Sequence, residues 1–184
     1  MQQLVTTHSL ELTRFDHLET SSVGRSDYDL VRVEAVCPPL NRFLYATVGA
    51  EWTWYQRLTW SYQQWLDFLD RDEVTTWVAY QSGAPVGYFE LEQQSGNSVE
   101  IVYFGLLPQF VGKGMGSALL RDAVLQAREL GALRVWLHTC SLDHPSALAN
   151  YRARGFEIFT TVEEYEEIPD EPLQPWPGAF PPAG

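Results

Sequence analysis

The chain has 184 residues, 45% of them apolar and 14% aromatic, enough to bury one core of ordinary size. Its formal net charge is −12 and its isoelectric point about 4.6, which excludes nucleic acid and anionic membrane surfaces as partners. No run of about 18 apolar residues occurs, residues 1–7 lack the basic-then-apolar layout of an export signal, and Cys37 and Cys140 are too few for a disulfide framework or a zinc site. The expectation is a cytoplasmic protein with no metal.

Residues 8–14 alternate apolar and polar side chains and predict a first strand, with a polar stretch after it at 19–27. Pro38 and Pro39 open a helix to about Val48, because proline is tolerated in a first helical turn. Trp52, Trp54, Tyr55, Trp60, Tyr62 and Trp65 then crowd a short segment whose second half, Ser61 to Leu69, has helical spacing. From Thr75 the period becomes two. Strands at 75–80 and 86–92 join through Ser82-Gly83 as a hairpin, and a turn at 94–97 leads into an apolar strand from Val99.

Residues 105–117 place the end of that strand, a glycine-rich turn and the start of an amphipathic helix in succession. Glycines at 112, 114 and 116 let the backbone turn tightly, so that N–H groups at a helix N-terminus can cradle an anion. The helix carries Leu119, Leu120, Ala123, Val124, Ala127 and Leu130 on one face and ends at Gly131. A strand at 133–139, a helix through Tyr151, and strands at 156–161 and 164–168 complete a domain over residues 1–168. Residues 169–184, with six prolines, are expected to form an extended or disordered tail.

Spacing decides what the cradle holds. A P-loop needs Ser or Thr after its lysine, but Gly114 follows Lys113; a dinucleotide loop needs an acidic residue ending the next strand, and residues 133–139 have none. Gly112-Lys-Gly-Met-Gly116 instead resembles the pyrophosphate loop of the GNAT superfamily of acyl-CoA-dependent N-acetyltransferases. Residues 99–108 are similar to that family's fourth strand, and Ala147 to Phe156 to its helix ending in Tyr-x-x-x-Gly-Phe. The resemblance covers about residues 75–161. Val111 departs from the family's Gln or Arg, and His144 from a frequent Asn.

The resemblance implies an α/β fold: a mixed, mostly antiparallel central sheet with helices on both faces and a splay between the family's fourth and fifth strands. It implies transfer of an acetyl group from acetyl-CoA to a primary amine by direct attack, with a small and, given the acidic chain, cationic acceptor; a homodimer is compatible with it. Glu100 matches the general base and Tyr151 the acid beside the CoA sulfur, with Glu90 and Glu92 as rival bases. Cofactor binding is expected at Leu106, Leu107, Val111, Gly112, Lys113, Gly114, Met115, Gly116, Ser117 and His144, and the N–H of Leu106 or Leu107 is the expected oxyanion donor. His138, Cys140 and His144 also allow a covalent cysteine route or a metal site, both disfavoured against direct transfer. Outside the enzyme class stands a non-catalytic acyl-CoA-binding module, and within it acylation of a protein N-terminus.

Overall fold

A computed structural model of the chain describes residues 1–16, 27–170, 173–176 and 179. Its elements run β1 (Gln2–Leu12), β2 (Asp29–Arg32), α1 (Pro38–Gly49), α2 (Tyr62–Leu69), β3 (Val74–Gln81), β4 (Ala84–Gln94), β5 (Ser98–Leu106), α3 (Met115–Glu129), β6 (Arg134–Cys140), α4 (Ala147–Arg152) and β7 (Glu157–Glu167). Among the described residues the strands form one seven-stranded sheet in the order β2-β3-β4-β5-β6-β1-β7, antiparallel except where β5 meets β6. No described helix is long and apolar enough to cross a membrane.

Two layers of helix cover the sheet. On one face α3 buries Leu119, Leu120, Ala123, Val124 and Ala127 against Leu10, Phe89, Leu91, Val99 and Ile101. Each such leucine contributes about 1.5–3 kcal/mol by leaving water. On the other face α1 packs Leu44 and Val48 against Val78, Tyr88 and Leu107, and α2 sets Trp65 and Leu69 beside Tyr45 and Val74. The start of α2 is fixed locally by a capping box, in which Ser61 and Gln64 bond each other's backbone N–H.

The hairpin, α1, α2 and α3 lie where the sequence places them. Ser82 and Gly83 both have positive φ, as the tight turn requires. Three expectations change. The first strand begins at Gln2, because residues 2–6, whose side chains are mostly polar, pair along β7, and β6 joins on the other edge from Thr7 onward. The short strand β2 was not expected and pairs with β3 at the sheet edge. The two expected C-terminal strands are one continuous β7. Residues 17–26, and with them all of the polar stretch at 19–27 but Asp27, lie outside the described residues.

In the tail, residues 171, 172, 177, 178 and 180–184 are likewise outside the described set. The described tail residues join no strand, but Leu173 N–H donates to Tyr55 Oη at 3.1 Å, and Pro175 and Trp176 lie against α1 and α2.

Candidate active site

The site begins where β5 and β6 part. They are paired with each other only through Ser98–Glu100 and Arg134–Trp136, after which they part, β5 running on beside β4 to Leu106 and β6 beside β1 to Cys140. A bulge at Val102 bends β5 at that point: Ile101 lies opposite Leu91 but Tyr103 lies opposite Glu90. The parted edges open a cavity of about 590 Å³, lined by residues 101–106 of β5, Leu137, His138 and Cys140 of β6, and Tyr151 of α4.

At one end the cavity reaches the N-terminus of α3. Gly112 and Gly114 have φ of 79° and 80°, and a Cβ at either would meet nothing within 4 Å, so their backbone faces open space. Gly114 is the N-cap residue, no side chain caps the helix, and its first turn carries no acidic residue. The first N–H groups and the positive end of the helix dipole are therefore left for an external anion. A phosphate-bearing ligand fits this cradle. Gly116 is an ordinary residue of the first turn, with space for a Cβ 3.7 Å from Leu106 Cδ1.

Of the residues expected to hold such a ligand, Leu106, Val111, Gly112, Gly114, Gly116, Ser117 and His144 line the cavity. Three do not. Leu107 is buried and its N–H donates to Val86 O at 2.9 Å. Lys113 is exposed with its Nζ 5.2 Å from the centre of the Phe110 ring, and Met115 packs on the core. Because successive N–H groups of an extended strand point to opposite edges, Leu106 turns its N–H toward the open side of β5.

The walls are tied together above the splay. Asp143 Oδ2 accepts from Thr139 Oγ1 at 2.7 Å and from Cys140 N–H at 2.9 Å, while Oδ1 lies 3.5 Å from Trp54 Nε1. Beside it the rings of Trp52 and His144 meet edge to face at 5.1 Å, and His144 Nδ1 accepts from the Ser146 N–H. Tyr45, Trp54 and Tyr103 form a wall with ring separations of 4.9–5.7 Å. Glu166 of β7 and Thr7 of β1 also line the cavity.

The carboxylates expected as bases separate clearly. Glu90 is fully buried; Arg57 Nη1 donates to its Oε2 at 2.9 Å and Asn41 Nδ2 to its Oε1 at 2.9 Å. Arg71 holds Glu92 at 2.8 Å. Glu100 faces β6, with Oε1 3.5 Å from His138 Nδ1, and is not among the residues that line the cavity. His138 does line it, and its pKa is raised, chiefly by Glu100. Burial pushes the Tyr151 phenol well above its ordinary 10.0, with Asp143 adding to the rise.

Cys140 also lines the cavity, but burial and Asp143 raise its thiol pKa, opposite to what an activated nucleophile needs. Among the described residues no group of His, Cys, Asp and Glu is arranged to hold a metal ion. Asp143 was missed in the sequence, where its only signal was a place just after a strand. In the sequence His138 stands out only as a neighbour of Cys140 and His144.

A profile of the acetyltransferase (GNAT) family matches residues 39–156. An uncharacterized N-acetyltransferase of Mycobacterium tuberculosis is 35% identical over 81 residues, 44% of this chain and 51% of that protein. One of Methanocaldococcus jannaschii is 25% identical over 130 residues, 64% of this chain and 54% of that protein. The chain thus spans about half the length of the curated relatives it matches. The structure of spermidine N-acetyltransferase from Vibrio cholerae, solved with CoA and spermine, superposes with a TM-score of 0.58 at 19% identity, covering 71% of this chain and 81% of that one. That likeness is one of fold.

Proposed function

Because the chain belongs to the acetyltransferase (GNAT) family, we propose that this acyltransferase moves an acetyl group from acetyl-CoA to a small primary amine by direct attack. One observation carries the proposal: a single cavity joins an uncapped helix N-terminus, a strand edge with free backbone groups, a buried tyrosine and an aromatic wall.

Gly112, Gly114 and Gly116 would hold the pyrophosphate by backbone N–H groups, and the unpaired edge of β5 would pair with the pantetheine amides. Bound acetyl-CoA supplies an activated thioester carbonyl. Leu106 N–H is the donor for the charge that develops on the carbonyl oxygen. Tyr151, kept protonated by burial, donates to the sulfur as negative charge builds there. Glu90 and Glu92 are each engaged by an arginine, which leaves Glu100 and His138 for proton removal.

A cationic acceptor suits the opposite end. Tyr45, Trp54 and Tyr103 offer ring faces, Glu166 and Asp143 are the acidic groups on the same cavity, and the chain as a whole carries −12. The Vibrio cholerae enzyme was solved with a polyamine. Both cysteines are free, in keeping with a reducing cytoplasm.

The direct test is CoA release from acetyl-CoA in a panel of primary amines, with mass spectrometry of the product. An acetylated amine is the expected outcome; CoA binding without release for any amine would leave only a binding module. Tyr151→Phe is expected to keep CoA affinity and slow release roughly 10²–10⁴-fold. Raising the pH should not restore the rate, since the lost hydroxyl acts on the sulfur and not on the amine.

Val111→Arg tests the departure in the loop. Val111 lines the cavity and is 36% exposed, so an arginine there would sit at its rim. The expected gain in CoA affinity is on the order of 1 kcal/mol, about fivefold, read by calorimetry. No gain would mean that the phosphates lie beyond its reach.

A further inference from the structure

Three strands converge on Glu100. Trp136 of β6 donates from Nε1 to Gln94 Oε1 of β4 at 2.9 Å, and Gln94 Nε2 donates to Glu100 Oε2 at 2.9 Å. The direction of this chain is fixed by chemistry, because an indole only donates and a carboxylate only accepts, so the amide between them has one workable orientation. Glu100 Oε1 is thereby turned toward His138 Nδ1, 3.5 Å away. The parallel register sets the pair. Trp136 lies opposite Glu100, and His138 follows two residues later on the same face of β6.

The two partners stand differently toward the cavity. Glu100 does not line it and is 12% exposed, whereas His138 lines it and is 51% exposed. The imidazole therefore stands between the carboxylate and a molecule in the cavity. With Nδ1 facing Glu100, Nε2 is the ring atom left to meet an incoming amine.

Resting on the acyl-transfer reading above, we infer that His138 is the catalytic base and that Glu100 is a positioning residue, holding the imidazole as the Nδ1–H tautomer with Nε2 bare. Nε2 takes one proton from the acceptor ammonium. The nitrogen lone pair then forms the amide C–N bond as the C–S bond breaks, the proton shed by the amide nitrogen ends on sulfur with Tyr151 as relay, and the imidazolium returns its proton to water. The contact of 3.5 Å shortens when the ring becomes cationic, since such contacts tighten in the working complex.

The groups around His138 fix the sign of its pH dependence. Glu100 faces it from β5 and Asp143 from the loop after β6, β1 offers the uncharged Ser9 in register, and Glu166 of β7 lines the same cavity farther along the sheet. Glu100 first and Asp143 after it favour imidazolium and outweigh the opposing effect of burial, so the ring is a base once the pH exceeds its midpoint. Activity rises with pH through that midpoint. Glu100→Gln removes the main cause of the raised pKa, so the acid limb should move to lower pH while the plateau falls, because a weaker base remains. A merely structural loss would lower the plateau and leave the limb in place.

The test labels the histidines of the full chain, His8, His17, His138 and His144, with ¹⁵N and reads their tautomers and titration by long-range ¹H–¹⁵N spectra, with His138→Gln for assignment. The expected result is Nδ1–H for neutral His138 and a downward shift of its midpoint in Glu100→Gln. An Nε2–H tautomer, or an unmoved midpoint, overturns the assignment of Glu100. CoA release from acetyl-CoA is followed in a defined mixture of aminoalkanes, polyamines, amino acids and dipeptides. His138→Gln is expected to slow it roughly 10²–10⁴-fold with CoA affinity intact by calorimetry. Unchanged release overturns the base, whereas absence of release by the wild-type chain overturns the acyl-transfer reading itself.

Discussion

Gly114→Glu is expected to weaken CoA binding at least about 100-fold in a chain that still folds. Gly114 has φ 80° at the N-cap of α3, a conformation costing a residue with a Cβ about 1–2 kcal/mol. A Cβ there enters open space, so the apo chain loses little else, but the carboxylate would occupy the region where phosphate oxygens must approach backbone N–H groups. Losing two hydrogen bonds to a charged group, at about 1.5–3 kcal/mol each, accounts for the 100-fold. Gly116→Ala is the control, since its Cβ would sit 3.7 Å from Leu106 Cδ1, an ordinary contact. Calorimetry should find its affinity within about threefold of wild type; equal affinities for all three chains would mean that the cradle binds no phosphate.

Arg57→Ala is expected to lower folding stability by about 3–5 kcal/mol, because it strands the carboxylate of Glu90 in the core. Arg57 itself is 8% exposed at its side chain and lies 4.0 Å from the centre of the Phe68 ring and 4.4 Å from that of Tyr103. The guanidinium's packing on Tyr103 is lost with it, so the same change loosens the aromatic wall of the cavity, while the backbone N–H of residue 57 still donates to Tyr45 Oη. Urea unfolding measures the loss. Arg57→Met combined with Glu90→Gln should recover most of it, since the amide keeps a contact for Asn41 and no buried charge remains. A cost below about 1 kcal/mol for the single change would show that water reaches Glu90 when the arginine is gone.

The family resemblance and much of the site were legible because their signals are local. A glycine at positive φ is required by the turn itself, and the Tyr-x-x-x-Gly-Phe run places Tyr151 on a helix one turn before the next strand. The hairpin, the α2 capping box and the apolar face of α3 follow from spacings within a few residues. Three of the residues expected at the cofactor do not line the cavity for a local reason too: a motif names a stretch, but only side-chain direction separates Val111, which lines it, from Lys113, which does not.

By itself the sequence determined the fold class, the anion cradle at the start of α3 and the tyrosine at the far side, since each rests on periodicity, φ or a short motif. Tertiary structure alone decided which acidic residues an arginine engages and which one faces His138. Glu90 and Arg57 are separated by 33 residues in the chain, and Trp136 meets Glu100 across a parallel pair joined through α3. Nothing in an alternating strand reveals which neighbour will face a given carboxylate. The same limit hid the start of β1, whose polar residues 2–6 become a strand because the distant β7 pairs with their backbone. Pairing between distant segments is set by how the whole sheet closes over its core, and that is a property of the assembled chain.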